Sequence, residues 1–370
     1  MVNRMRGENS APRVFVHLPY GADAEAYRRR FEDGREPDAS PYGFHRAAEW
    51  GFDVSFAEDR LGRVGRWLST KCRRFLHFDI AHSLANRRAM RRADIIWTMN
   101  EWDAIGARLL MALRIVPRRP VIGTAIWVVN WWPTLAGWQR AIYRPLLERL
   151  DWLLVHTRPC LDACRERLPG VRSRLMHFGI ASETFPPAQP GPDGGPIAIV
   201  AAGNDPTRDW DVLLDAFGND PAVDLVFVNR ELPDSLMERY ANLRIPRSPS
   251  MAEFRRLYAS ATYIAVPMRE NIYSGITVAL EAMAMGVPLI ATRTGGVPTY
   301  VGDGEALFVP PGDAAAWREA VRAQSAEARR AMAARGHDRF RREDYSTRGM
   351  MQQFADLTRA LLSQDGPKHD

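Results

Sequence analysis

A single acidic residue stands inside an otherwise apolar helical pattern. Across residues 267–288, PMRENIYSGITVALEAMAMGVP, a strand ends at Pro267 and a polar loop carries Ser274 and Gly275. A helix then runs from near Ile276 to Met285 until Gly286 and Pro288 stop it. Glu281 falls within that helix, where a charge is costly unless it is paired or hydrogen-bonded to a ligand. Satisfaction by a neighbouring loop is the plainer alternative. The helix start offers free backbone N–H groups behind a glycine that permits close approach, which is the chemistry of a phosphate site. Gly203, Asn204 and Asp205 close another strand, either as ligand contacts or as the makers of a turn. Trp127, Trp131, Trp132 and Trp138 crowd one stretch, and indole rings pack on sugar faces, settle at lipid interfaces or fill cores. Asp209 and Asp211 look like a metal-binding pair, but residues two apart on a helix do not face each other, and no metal site is expected. Paired carboxylates of the hydrolase kind and a Ser/His/Asp elbow are not found in the sequence.

These residues need a frame. Short apolar runs alternate with amphipathic stretches along the whole chain, the pattern of βα units and parallel sheets. Strands are predicted at 13–18, 53–56, 94–98, 120–128 and 152–156, with a helix over 103–114 stopped by Pro117. At 186–196, PPAQPGPDGGP cannot sustain helix or sheet and reads as an interdomain linker. Further strands are predicted at 197–202, 224–229, 262–267, 287–292 and 306–309. The fold class is therefore α/β, with two doubly wound domains and ligands expected in the cleft outside the carboxyl ends of the strands.

Composition narrows the function. The chain has 370 residues, 46% hydrophobic and 25% charged, which excludes a disordered tail or a repeat fibre. Cys72, Cys160 and Cys164 lack metal-ligand spacing and point to a reducing compartment. Residues 1–13 are polar and charged, so no secretory signal is read there, and the uncharged run 120–139 carries Pro133 and Asn130 and fits a strand followed by a Trp-rich loop. Residues 1–180 carry 30 Lys and Arg against 19 Asp and Glu, whereas the remainder carries 20 against 25. Nearly all the positive charge is Arg, clustered at 60–74 and 87–92, and it implies an anionic partner or a solvated basic face. No nucleic-acid module is recognisable, so no nucleic-acid partner is expected.

The segment SGITVALEAMAMGVPLIATRTGGVPTYVGDGEALFVPPGD resembles the donor-binding half of glycosyltransferase family 4, the group 1 transferases of the GT-B fold. The similarity rests on Leu280-Glu281-Ala282-Met283-Ala284, Gly286, Pro288, Gly295-Gly296 and Pro311-Gly312-Asp313. Fainter similarity covers 94–128, 175–185 and 201–217. The resemblance implies two Rossmann-like domains facing across a cleft: residues 1–185 for the acceptor, the linker 186–196, residues 197–345 for the nucleotide sugar, and 346–370 as a helix returning to the first domain.

It also implies a retaining transfer from a UDP- or GDP-linked sugar to a lipid-linked or polysaccharide acceptor in bacterial surface polysaccharide assembly, with no cofactor. Glu281 would accept hydrogen bonds from the donor ribose, and Arg208 would hold the diphosphate. Gly203, Asn204, Asp205, Ser274, Gly275, Ile276 and Thr277 would line the donor site, and Trp127, Asn130, Trp131 and Trp132 the acceptor side. Two departures stand out. The family places a Glu eight residues before Glu281, where this chain has Tyr273. Glu270, or Ser274 with Thr277, would replace that contact, or else the protein is a catalytically silent binder of a nucleotide sugar or of a partner transferase. The family also tends to place a His where this chain has Ile126 or Trp127. The expected location is cytoplasmic, with the basic first domain on the anionic inner face of the plasma membrane.

Overall fold

Runs of buried apolar residues form two six-stranded sheets in the computed structural model, which describes residues 11–188 and 194–364. The polar start up to residue 10 and residues 189–193 of the linker read at 186–196 lie outside these. The first sheet comprises β1 (Arg13–His17), β2 (Asp53–Phe56), β3 (Ile95–Thr98), β4 (Val121–Thr124), β5 (Trp152–Val155) and β6 (Ser173–Leu175), in the order β2-β1-β3-β4-β5-β6. The second comprises β7 (Ile197–Ala202), β8 (Val223–Val228), β9 (Leu243–Arg244), β10 (Tyr263–Val266), β11 (Leu289–Thr292) and β12 (Leu307–Val309), in the order β12-β11-β10-β7-β8-β9. Every pairing is parallel. Helices cover both faces, so β3, β4, β10 and β11 are buried at every position. In the second sheet, Val200, Val226 and Ile264 pack on one face, and Ile199, Leu225 and Tyr263 on the other. The order in which successive strands are added reverses between β1 and β3 in one sheet and between β7 and β10 in the other, the two places where a crevice opens.

Several boundaries differ from the sequence reading for local reasons. The helix expected at 103–114 spans Glu101–Ala112, because the Asn100 side chain caps it by accepting the Asp103 N–H at 3.0 Å. The strand expected over 120–128 stops at Thr124, since the N–H groups of Ile126, Trp127 and Val128 all turn to the Glu101 carboxylate. The Trp-rich loop is two short helical turns, Val128–Trp131 and Trp132–Thr134. The sequence reading omitted β6 and β9, edge strands of 3 and 2 residues that are too short to show a period.

The last helix, Thr347–Gln364, packs on the first domain. Its Phe354 ring meets Phe44 at 5.5 Å and Trp97 at 4.8 Å, and Thr358 accepts the Trp97 indole N–H at 3.0 Å. The chain crosses back where the Ile180 N–H donates to the Tyr345 carbonyl and the Thr347 N–H donates to the Ile180 carbonyl, at 3.0 and 2.7 Å. Gly179 is required there, because a Cβ would lie 2.0 Å from the Ser346 carbonyl oxygen. The domains also meet through the Thr157 hydroxyl on the Ile272 carbonyl and the Tyr300 hydroxyl on the His156 carbonyl, at 2.5 and 2.7 Å. Phe354→Ala should therefore cost about 3 to 5 kcal/mol of stability, read as a lower urea midpoint. A loss below about 1 kcal/mol would show that this helix is not docked as described.

Candidate functional site

The second crevice is built from glycines and one buried cation. Gly203 follows β7 at φ +138°, and a Cβ there would lie 2.6 Å from Arg208 Nε. The strand end and the guanidinium are thus in direct contact. Arg208 is 6% exposed, its Nη1 faces the Met268 sulfur at 3.1 Å, and its Nε has no acceptor. An isolated backbone bridge between Arg208 and Met268 ties this loop to the end of β10. Burial lowers the Arg208 pKa, opposed by the charge of Asp205 and by Tyr258 and Glu281.

Glu281 reaches the same place from the helix Ile276–Met285, where it is 8% exposed and accepts the Tyr258 hydroxyl at 3.0 Å. Burial raises its pKa to about 7, against the lowering pull of the Tyr258 hydrogen bond and Arg208. The start of that helix is shaped by Gly275 at φ +91°, where a Cβ would lie 2.8 Å from Val297 Cγ2. The Asn271 side chain accepts the N–H groups of Tyr273 and Ser274 at 3.1 and 2.8 Å and so coils the loop ahead of the helix. Gly296 N–H closes it on the Ser274 carbonyl at 2.7 Å.

The structure sorts the expected site residues. Arg208, Glu281, Gly203, Gly275, Asp205 and Ser274 converge. The Ser274 hydroxyl donates to Asp205 Oδ2, while Asp205 Oδ1 accepts from Thr207 N–H at 2.7 Å. Ile276 is buried in the second core, leaving only its backbone for a ligand, and Thr277 is exposed one residue into the helix. The Asn204 side chain accepts the Arg230 N–H at 2.9 Å, which is the turn-making role. Glu270 is exposed, and the neighbours of Arg208 and Glu281 do not include it. Asp209 and Asp211 both face Arg269, at 3.9 and 3.4 Å, as surface ion pairs.

Tyr273 crosses the cleft, its ring edge on Trp127 at 4.9 Å. Burial, with Asp205 and Glu101 nearby, pushes its phenol up to about 12. Trp127 stacks on Trp131 at 5.3 Å, and both are half-buried, as is Asn130. Trp132 is corrected: it is 5% exposed in the first core with Arg144 over its ring at 5.4 Å, so it offers no face to an acceptor. Trp138 is exposed.

Sequence reading missed Tyr258, Asn271, Met268 and Glu101. Glu101 is wholly buried and takes the N–H groups of Ile126, Trp127 and Val128 at 2.7, 2.9 and 2.7 Å, which fixes the tryptophan turn. An acid behind Asn100 at the head of an apolar helix was the available signal. Tyr258 had none, since its partner lies 23 residues on.

Glu281 holds its proton more tightly folded than unfolded. It therefore contributes stability that is complete below its ordinary value of 4.5 and lost as pH rises through about 7. Relative to Glu281→Gln, wild-type unfolding free energy should fall by on the order of 2 to 3 kcal/mol from pH 4.5 to 8 in urea titrations. A difference that stays flat with pH would mean that the carboxyl titrates normally.

Residues 197–326 match the family model described as Glycosyl transferases group 1. Among curated relatives, the D-inositol 3-phosphate glycosyltransferase of Saccharomonospora viridis is 30% identical over 182 residues, 43% of this chain and 41% of its own length. That of Corynebacterium urealyticum is 30% identical over 141 residues, 37% of this chain and 32% of its own. The chain thus spans less than half the length of these relatives. Sucrose-phosphate synthase from Thermosynechococcus elongatus superposes with a TM-score of 0.74 at 17% identity, covering 95% of this chain and all 100% of that one. Anabaena HepE in complex with UDP and glucose does so with a TM-score of 0.67 at 13% identity, covering 93% and 98%. At such identities the structural likeness is one of fold. Residues 197–326 are thus similar to the group 1 glycosyltransferases, and the whole chain has the GT-B fold.

Proposed function

We propose that the protein is a retaining glycosyltransferase that moves a sugar from a UDP- or GDP-linked donor to a lipid-linked or polysaccharide acceptor. The observation that carries this is Arg208: a buried guanidinium whose Nε lacks an acceptor, at the switch point, beside a carboxylate and a glycine-led helix start. Diphosphate oxygens are the acceptors such a group lacks, and the N–H groups of Ile276 and Thr277 add donors. The two ribose hydroxyls would donate to Glu281, which Tyr258 holds in place.

In the reaction the bond from the sugar anomeric carbon to the phosphate oxygen breaks, and its electron pair leaves with the diphosphate. The acceptor oxygen bonds to the same carbon on the same face, and its proton passes to the departing phosphate oxygen. Arg208 stabilises the negative charge that builds there. Ring faces of Trp127 and Trp131 would flank the acceptor. The relatives' names support a glycosyl transfer, and the HepE complex with UDP and glucose supports a uridine diphosphate sugar as the first donor to try.

Tyr273 in place of a carboxylate supports a second reading, a silent binder of nucleotide sugar or of a partner transferase. Donor hydrolysis or transfer separates the two.

UDP or GDP at about 100 times its Kd should raise unfolding free energy by about 2.7 kcal/mol, seen as a thermal shift. Glu281→Ala and Arg208→Ala should each weaken that nucleotide at least about tenfold by calorimetry, since each deletes a charge-assisted hydrogen bond. If neither nucleotide stabilises the wild type, the donor site is not where these residues converge.

A further inference from the structure

An ordinary surface helix turns its apolar stripe inward. The helix Arg63–Leu76, RVGRWLSTKCRRFL, does not. Gly65, Ser69, Cys72 and Leu76, at helical spacing, are its less exposed positions, and only Ser69 is fully buried, its hydroxyl donating to Asp79. Val64, Trp67, Leu68 and Phe75 stand 73%, 60%, 42% and 60% exposed. Arg63, Arg66, Lys71, Arg73 and Arg74 surround them, and the helix has no acidic residue. Arg73 comes within 3.9 Å of Asp79. Among the described residues the other four pair with no carboxylate.

A second helix extends this face. Gly137–Leu147 adjoins the end of the first through Gln139 on the Phe75 carbonyl and Tyr143 on the Leu76 carbonyl, at 3.4 and 2.6 Å. It adds exposed Trp138 and Ile142, with Arg140 and Arg144 and again no acid.

We propose that these two helices dock the protein on an anionic lipid surface, with Trp67, Phe75 and Trp138 entering the headgroup layer and the arginines meeting lipid phosphates. Charge complementarity decides the occupant. A second copy of the same face would set cations against cations, and a polyanion without an apolar layer would leave Val64, Trp67 and Phe75 in water. Aromatic and aliphatic side chains ringed by basic ones suit the boundary of an anionic bilayer. No helix among the described residues is long and apolar enough to cross a membrane, so the attachment is to the surface.

The face also leads to the cleft. His77, next after the first helix, lies against Trp102 and Trp131 at 5.2 and 5.7 Å, and Trp131 stacks on Trp127 opposite Tyr273. A lipid-borne acceptor would therefore be presented beside the tryptophans, a consequence that rests on the transferase reading; the docking itself does not.

The test is co-sedimentation of the full chain with phosphatidylcholine vesicles, with and without phosphatidylglycerol. The wild type should bind only the anionic vesicles, with affinity that falls as salt is raised. Trp67→Ser with Phe75→Ser, and separately Arg63→Glu with Arg66→Glu and Lys71→Glu, should each lower the partition at least about tenfold. Both variants should keep the wild-type thermal midpoint and the wild-type UDP response. No binding to anionic vesicles, equal binding to neutral ones, or full binding by both variants would overturn the proposal. So would a dimer in sedimentation velocity that the same substitutions dissociate, in place of vesicle binding. Vesicle binding without any nucleotide response would leave the docking face standing while the transferase reading fell.

Discussion

Two opposite charges are kept out of water where the strand order of the second sheet reverses, and most of the local architecture follows from that. Arg208 and Glu281 are 6% and 8% exposed. Burial lowers one pKa and raises the other to about 7, so their mutual attraction does not offset the loss of hydration. Their nearest partners explain why. Glu281 is hydrogen-bonded to the neutral Tyr258, and Arg208 faces a thioether and keeps one N–H without an acceptor. A pair left this incomplete gains from a ligand that brings phosphate oxygens to one member and hydroxyl donors to the other. The glycines serve the same end, since Gly203 admits the guanidinium and Gly275 lets the helix start approach Val297.

The first domain shows the opposite solution. Glu101 is more deeply buried than Glu281, yet three backbone N–H groups converge on it. It anchors a turn, and through that turn it sets the position of Trp127. Asp103, two residues on, has an oxygen without a partner and a pKa well above the ordinary range, first from burial and then from Glu101 and Asp79. Burial raises the pKa of both acids, but the three N–H groups that fix the backbone around Glu101 pull its value back, whereas Asp103 has no such set of donors.

How much of this was legible in the sequence depends on range. Sheets showed through, because buried parallel strands are short apolar runs whatever lies beside them, and only β6 and β9 were too brief to read. Glu281 and Gly275 stood out because each breaks a local rule, a charge in an apolar helix and a glycine at a helix start. Tyr258, Met268 and the burial of Trp132 did not, since each is defined by a partner distant in the chain. Amphipathicity of the helix Arg63–Leu76 was present in its letters, but periodicity alone is silent on which face turns outward.

Tyr273 is best understood through its neighbours. Burial first, and then the charges of Asp205 and Glu101, raise its pKa, so position 273 already disfavours negative charge. A carboxylate there would be a third acid beside two others. A phenol is neutral, can both donate and accept, and offers a ring that closes on Trp127 at 4.9 Å across the cleft. The substitution thus exchanges an acceptor-only contact for an aromatic one that couples the two domains. On the transferase reading, a sugar entering between them has to part this contact or lie against its ring faces, which would tie occupancy of the proposed donor site to the positions of Trp127 and Trp131.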